Sequence, residues 1–182
     1  AVHHTLVKGA LFLGVGILAV TGGRRFRLVF LLIGVLALSL GGMPLTSGAL
    51  AKLATKPLLG YGWFAGAMTL AGAGSTLLMV HLLLLLRDYA AEDAAASPPL
   101  GQFVPWLVVT AASLVIPWSL YPAVAGEPMT ALVAPDALWK VTWPLLLGAA
   151  AMLLVRRWPG RLGLIPEGDI VVLAQGSAAE VA

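Results

Sequence analysis

The sequence predicts an all-α fold, a polytopic bundle of about six membrane-spanning helices with one helix broken near residues 41–52. Three observations carry that expectation. The 182 residues are 60% hydrophobic and 10% charged, with a mean hydropathy of +0.97. Apolar runs at 28–40 and 77–86 are longer than a soluble core of this size needs, and helices apolar on every side belong in lipid. The Leu/Val/Ala runs do not alternate as strands of a membrane barrel would, so internally hydrogen-bonded helices are the remaining way to span.

The elements follow in order. A first span covers 5–20 and closes at Gly22-Gly23-Arg24-Arg25-Phe26-Arg27. The second, 28–40, stops at Gly41-Gly42-Met43-Pro44, because glycine bends cheaply and proline lacks a donor N–H. A shorter, more polar third segment covers 45–59. The fourth span, 63–86, ends in Arg87-Asp88-Tyr89, and 88–101 is a polar, Ala/Pro-rich loop. The fifth, 103–121, is interrupted by Pro105 and Pro117. The sixth, 138–155, is bounded by Lys140 and by Arg156-Arg157-Trp158-Pro159. Most of the six tryptophans fall near span ends, where interfacial anchors sit. Two parts result: a transmembrane bundle over 1–158 and a soluble C-terminal tail over 159–182.

Charge and cysteine narrow the function classes. With no cysteine, disulfides and thiol ligation within this chain are excluded. The formal charge of +3 gathers at span ends, which favours lipid headgroups over nucleic acid. Six crossings put Arg24, Arg25, Arg27 and Lys56 on one side and Arg87, Arg156, Arg157 and Arg161 on the other. That tie leaves the orientation open. The opening segment holds His3, His4 and Lys8 and leads into another span rather than a polar domain, unlike a signal peptide. It reads as a cut into a longer polytopic protein or as a split-gene product. Enzyme motifs are missing: there is no phosphate-binding glycine loop and no zinc-spaced His/Cys set, so neither cofactor nor metal is expected.

The ionisable residues inside apolar sequence are the candidates for function. A charge at bilayer depth costs at least about 2.5 kcal/mol. His4 and Lys8 are four apart, one turn from each other on one helix face, and can form two steps of a proton wire. Equally, they can mark the interfacial end of the first span, with Lys8 snorkelling outward. In the second constellation Pro44 and Gly48 break the helix, and Thr46 and Ser47 hold freed backbone groups or water. Lys52 follows one turn after Gly48. The competing reading is a turn at the membrane surface with Lys52 and Lys56 as anchors. His81, inside 77–86, is either a packing residue or a further relay. Gly72 and Gly74 allow close helix packing. Acidic residues, Asp136 among them, fall in loops.

At these two constellations the chain resembles the antiporter-like subunits of respiratory complex I, the Mrp-type cation/proton antiporters and the membrane arms of hydrogenase complexes. That family carries a His-x-x-x-Lys before an Ala-Leu-Phe-Leu run; here it is His4-Thr-Leu-Val-Lys8-Gly-Ala10-Leu-Phe-Leu13. Its later Gly-hydrophobic-Pro-x-x-Ser/Ala-Gly-x-x-x-Lys stretch is matched by Gly42-Met-Pro44-Leu-Thr-Ser47-Gly48-Ala-Leu-Ala-Lys52. The resemblance covers residues 1–90 and implies a proton pathway. Lys8 would be a central-axis lysine with His4 as its relay neighbour, and Lys52 the lysine beside a broken helix. The family's first repeat, with its glutamate–lysine pair, has no counterpart here. The implied partners are therefore other membrane subunits, including one supplying that repeat, and the implied location is the bacterial inner membrane.

The expected function is proton or cation/proton translocation, as the C-terminal half of an antiporter-like subunit in a larger complex. The alternative is a non-conducting structural or assembly subunit of a membrane arm. A third class is a membrane-anchored module whose active domain lies elsewhere.

Overall fold

A computed structural model describes residues 2–55, 62–126 and 128–158. The predicted soluble tail at 159–182, Lys56 and Glu127 lie outside the described residues. The described fold is all-α. Six helices follow one another: α1 Val2–Ala19, α2 Gly23–Gly41, α3 Ser47–Thr55, α4 Trp63–Leu86, α5 Leu100–Ala125 and α6 Pro135–Arg157. A short 3-10 helix, Met129–Val133, joins the last two. Four of the six, α1, α4, α5 and α6, are long and apolar enough to cross a membrane, which marks the chain as an integral membrane protein. The main unit is Ala1–Met152; of the second, Leu153–Ala182, residues 153–158 are described.

Within the main unit α1 packs on α2 and α5, α2 on α4, and α3 on α5. The core lies between α1 and α2, where Val7, Leu18, Ile33 and Leu36 are fully or almost fully buried. Trp106 of α5 is 0% exposed and donates from Nε1 to the Ala10 carbonyl at 2.9 Å. It is a core residue, not the interfacial anchor its place near a span end predicts. A buried indole needs a partner for its N–H, and α1 supplies one of its own carbonyls. Gly14 makes room for this contact, since a Cβ there would lie 3.0 Å from both Trp106 Nε1 and Ile33 Cγ1. Helix α6 approaches α4 through Gly148, where a Cβ would come within 2.2 Å of the Ala73 carbonyl oxygen.

Several sequence expectations change. Helix α5 is continuous through Pro105, Pro117 and Pro122. Asp136 lies in the first turn of α6, not in a loop. The third segment forms the nine-residue α3, about 13 Å long against the roughly 30 Å of a hydrocarbon core. Two backbone hydrogen bonds tie the loops at one end: Ala91 N–H donates to Thr21 O at 3.2 Å, and Gly22 N–H to Ala96 O at 3.1 Å. The α1–α2 turn therefore meets the α4–α5 loop at one end of the bundle. With α1 and α4 ending at that same end, α2 and α3 together lead back to the start of α4; α2, expected as the second span, is not among the four helices long and apolar enough to cross. The even division of arginines rests on six crossings, and four candidate spans are found among the described residues.

Candidate functional site: a basic cavity at a helix break

Local sequence explains why α2 stops where it does. Gly42 adopts a left-handed conformation (φ 91°, ψ 35°) that a residue with a Cβ resists. Its N–H donates to Ser39 O, and Met43 N–H donates to Leu38 O, both at 2.9 Å. This paired arrangement satisfies two of the last carbonyls of the helix. Pro44 follows two residues later, where it prevents continuation. The chain re-enters a helix at Ser47. Thr46 Oγ1 turns back to Met43 O at 2.6 Å, so the α3 N-terminus is satisfied from elsewhere. Ser39 Oγ accepts from Gly48 N–H at 3.2 Å and pairs with Ser47 Oγ at 3.0 Å. Gly48 lies so close to α2 that a Cβ would fall 1.6 Å from Ser39 O. All four residues predicted for the break, Pro44, Thr46, Ser47 and Gly48, stand in this connection, with Gly42 and Ser39 closing it.

The break frees the Gly41 carbonyl, and Lys52 takes it. Lys52 Nζ donates to Gly41 O at 2.5 Å. Thr76 Oγ1 lies 3.4 Å from the same oxygen and donates to Gly72 O at 3.1 Å. Two glycines make the space: a Cβ on Gly42 would lie 2.4 Å from Lys52 Nζ, and one on Gly72 2.8 Å from it. Gly72 thus makes room for the lysine side chain rather than for close helix packing, and Gly74 faces open space. Depth follows from α4. Thr76 stands about 20 Å from the start of that helix and about 15 Å from its end. Lys52 therefore carries its ammonium to a level near the middle of α4.

Around this ammonium lies a cavity of about 400 Å³ between α1, α3, α4 and α6. Its polar lining includes His3, His4, Lys52, Thr69, Ser75 and Lys140. His3 is 8% exposed, and its Nδ1 has no hydrogen-bond partner among the described residues. Lys140 Nζ donates to Asp136 Oδ2 at 2.6 Å across one turn of α6. Among the described residues, every charged or titratable side chain lining the cavity is basic.

The predicted residues separate into two groups. Lys52 and His4 line the cavity. Lys8 and His81 do not, and both are exposed on the outside of the chain. The sequence stack of His4 and Lys8 thus straddles the rim and the outer face of α1. His3 takes the inward position, on the buried stripe of His3, Val7, Ala10, Leu11 and Gly14. Nothing in the polarity of α1 singles out that stripe, because the helix is apolar all round. The small residues Ala10 and Gly14 were the available signal. Lys140 was legible as the i+4 partner of Asp136 had α6 been extended by one turn at its start.

No family model, characterised protein or solved structure matches this chain.

The chemistry open to the site follows from its donors. An ammonium has three N–H groups, of which one is committed to Gly41 O. The others are available to water or to a ligand in the cavity. An imidazole can accept at one nitrogen while donating from the other, so His3 beside a hydrated space can pass a proton on.

Proposed function

We propose that this chain translocates protons, as the C-terminal half of an antiporter-like subunit within a larger complex of the bacterial inner membrane. The observation that carries the reading is the Lys52 ammonium held at mid-span on the carbonyl of a broken helix. A surface anchor would be drawn to the nearest water and would need no glycine cradle. A lysine kept there, beside two histidines and a cavity large enough for water, is suited to accept and release a proton. Lys52, His3 and His4 form the part of the path within this chain. Lys8 serves at the outer face of α1, toward the first repeat that the family resemblance implies.

The direction of opening follows from charge. Arg24, Arg25 and Arg27 at the start of α2 and Arg87 after α4 lie at the end of the bundle where the α1–α2 turn meets the α4–α5 loop. The positive-inside rule assigns that end to the cytoplasm. The cavity is bounded instead by His3 and His4 at the start of α1, by residues 65–75 in the first half of α4 and by Lys140, Val141 and Pro144 of α6, and so exchanges protons with the opposite side. The chain's lack of cysteine makes this directly measurable. A single cysteine at Ala65→Cys should react with a membrane-impermeant maleimide from the non-cytoplasmic side of intact cells. Labelling from the cytoplasmic side alone would reverse the orientation.

The test of function is proton uptake by membrane vesicles carrying the complete complex. Lys52→Ala and Lys8→Ala should each lower uptake at least tenfold with assembly intact. Unchanged uptake in both variants rejects transport. That outcome leaves the second reading, a structural subunit of a membrane arm, which the exposed position of Lys8 outside the cavity favours.

A further inference from the structure

We infer that Asp136 and Lys140 form a charge gate at the mouth of the cavity between α1, α3, α4 and α6, in which Asp136 cancels the Lys140 ammonium and so admits positively charged species. The inference deepens the proton reading and rests on it only for the ion that passes.

Placement is the first argument. Helices α4 and α6 touch at Gly148, where a Cβ would lie 2.2 Å from Ala73 O and 2.7 Å from Thr76 Cβ. The cavity residues Lys140, Val141 and Pro144 precede that contact on α6, as Ala65, Met68 and Thr69 precede it on α4. The two helices therefore run in the same direction and part toward their starts. Lys140 stands eight residues before Gly148, about 12 Å along the axis. Lys52 Nζ instead reaches the level of Gly72, one residue before the contact. Lys52 thus marks the inner end of the cavity and Lys140 the other. The Lys140 side chain is 46% exposed while lining the cavity, so it stands where the cavity meets the surface.

Charge is the second argument. Asp136 is the one carboxylate within the described helices, and its Oδ2 accepts from Lys140 Nζ at 2.6 Å. An exposed pair one helical turn apart contributes little to stability. Here it removes a positive charge from the entrance to a cavity whose other titratable lining groups, among the described residues, are Lys52, His3 and His4. Unpaired, Lys140 would add its ammonium to that of Lys52, and the summed field would repel an entering cation. Paired, it leaves the mouth near neutral. Long side chains on a helix lean toward its N-terminus, which carries Lys140 toward Asp136 and away from Lys52.

The lack of cysteine allows a direct test in open membrane fragments carrying the complete complex, in which both faces are accessible. Thr69→Cys puts a thiol on the cavity wall between the levels of Lys140 and Lys52. Its modification, read on this chain, is compared for a cationic and an anionic methanethiosulfonate of similar size. Asp136→Asn should lower the cationic-to-anionic rate ratio at least about threefold, and Asp136→Asn together with Lys140→Met should restore it. Asp88→Asn, which breaks the exposed pair with Arg87 at the other end of the bundle, should leave the ratio unchanged. Equal ratios with and without Asp136→Asn overturn the gate, as does a lowered ratio that the double substitution does not restore. Should Thr69→Cys fail to fold, Ala65→Cys on the same wall is read in the same way. Thiols at both positions that neither reagent reaches overturn the mouth itself. The ratio depends on access alone and so separates the two readings. A shifted ratio with proton uptake indifferent to Lys52→Ala keeps the gate and rejects transport; an unshifted ratio with uptake lost in Lys52→Ala does the reverse.

Discussion

Lys8 and Lys52 enter the sequence as equals, each a lysine in apolar surroundings with a histidine or a hydroxyl cluster nearby, and the fold treats them oppositely. Lys52 has a dedicated carbonyl, two glycines that clear its path and a cavity at its head. Lys8 has none of these. It stands on the exposed face of α1, next to Gly9, where a Cβ would meet nothing within 4 Å. The contrast separates two ways a membrane protein keeps a charge at depth. One is internal, with backbone groups rearranged to receive the ammonium. The other leaves the charge on an outer surface, to be matched by whatever covers that surface.

The internal arrangement is the more vulnerable, and the largest expected effect is at Gly48. In Gly48→Ala the new methyl would overlap Ser39 O, a backbone atom of α2 that cannot move without shifting the helix end. Overpacking of this kind costs about 1–3 kcal/mol and more where backbone is involved. The α2–α3 connection should loosen and Lys52 lose its register with Gly41. A thermal or chemical unfolding midpoint in detergent, measured on the full chain, should fall by several degrees. An unchanged midpoint would mean that α3 is not seated against α2 as described. The matching change on α1, Gly9→Ala, has open space to enter and serves as the neutral control.

The same contrast marks how far the sequence could be read. The break itself was legible, because Gly42, Pro44 and Gly48 have conformational consequences that hold in any surroundings. So was Lys52, which helical spacing from Gly48 puts at a fixed place on α3. The length of α3 was legible only in part: the segment reads as shorter and more polar than its neighbours, and the bonds to Ser39 and Gly41 that seat it against α2 are not in its composition. The inward role of His3 was hidden for a different reason. In a helix that is apolar all round, polarity does not announce the buried face. The face is chosen by which small residues let a neighbour approach, here Ala10 under Trp106 and Gly14 beside Ile33. Orientation was hidden with it, because counting arginines needs the correct number of crossings first. Two loop hydrogen bonds, at Thr21 and Gly22, show which helix ends share one end of the bundle.

The smallest expected effect is at Lys8, and it sharpens the comparison most. Lys8 makes no described hydrogen bond or ion pair, so Lys8→Met should change the stability of the isolated full chain by less than about 0.5 kcal/mol. Lys52→Met removes a hydrogen bond from a charged donor and leaves Gly41 O with only the longer bond from Thr76 Oγ1, and should cost about 1–3 kcal/mol in the same unfolding measurement. Equal losses would mean that Lys8 is held inside the bundle after all, and the division drawn here would fail. The informative case is the combination of assays. If Lys8→Met leaves the chain as stable as before and still abolishes proton uptake in the assembled complex, nothing within this chain accounts for the loss. The role of Lys8 then belongs to the surface that packs against α1, and the residue facing it there becomes the next one to find.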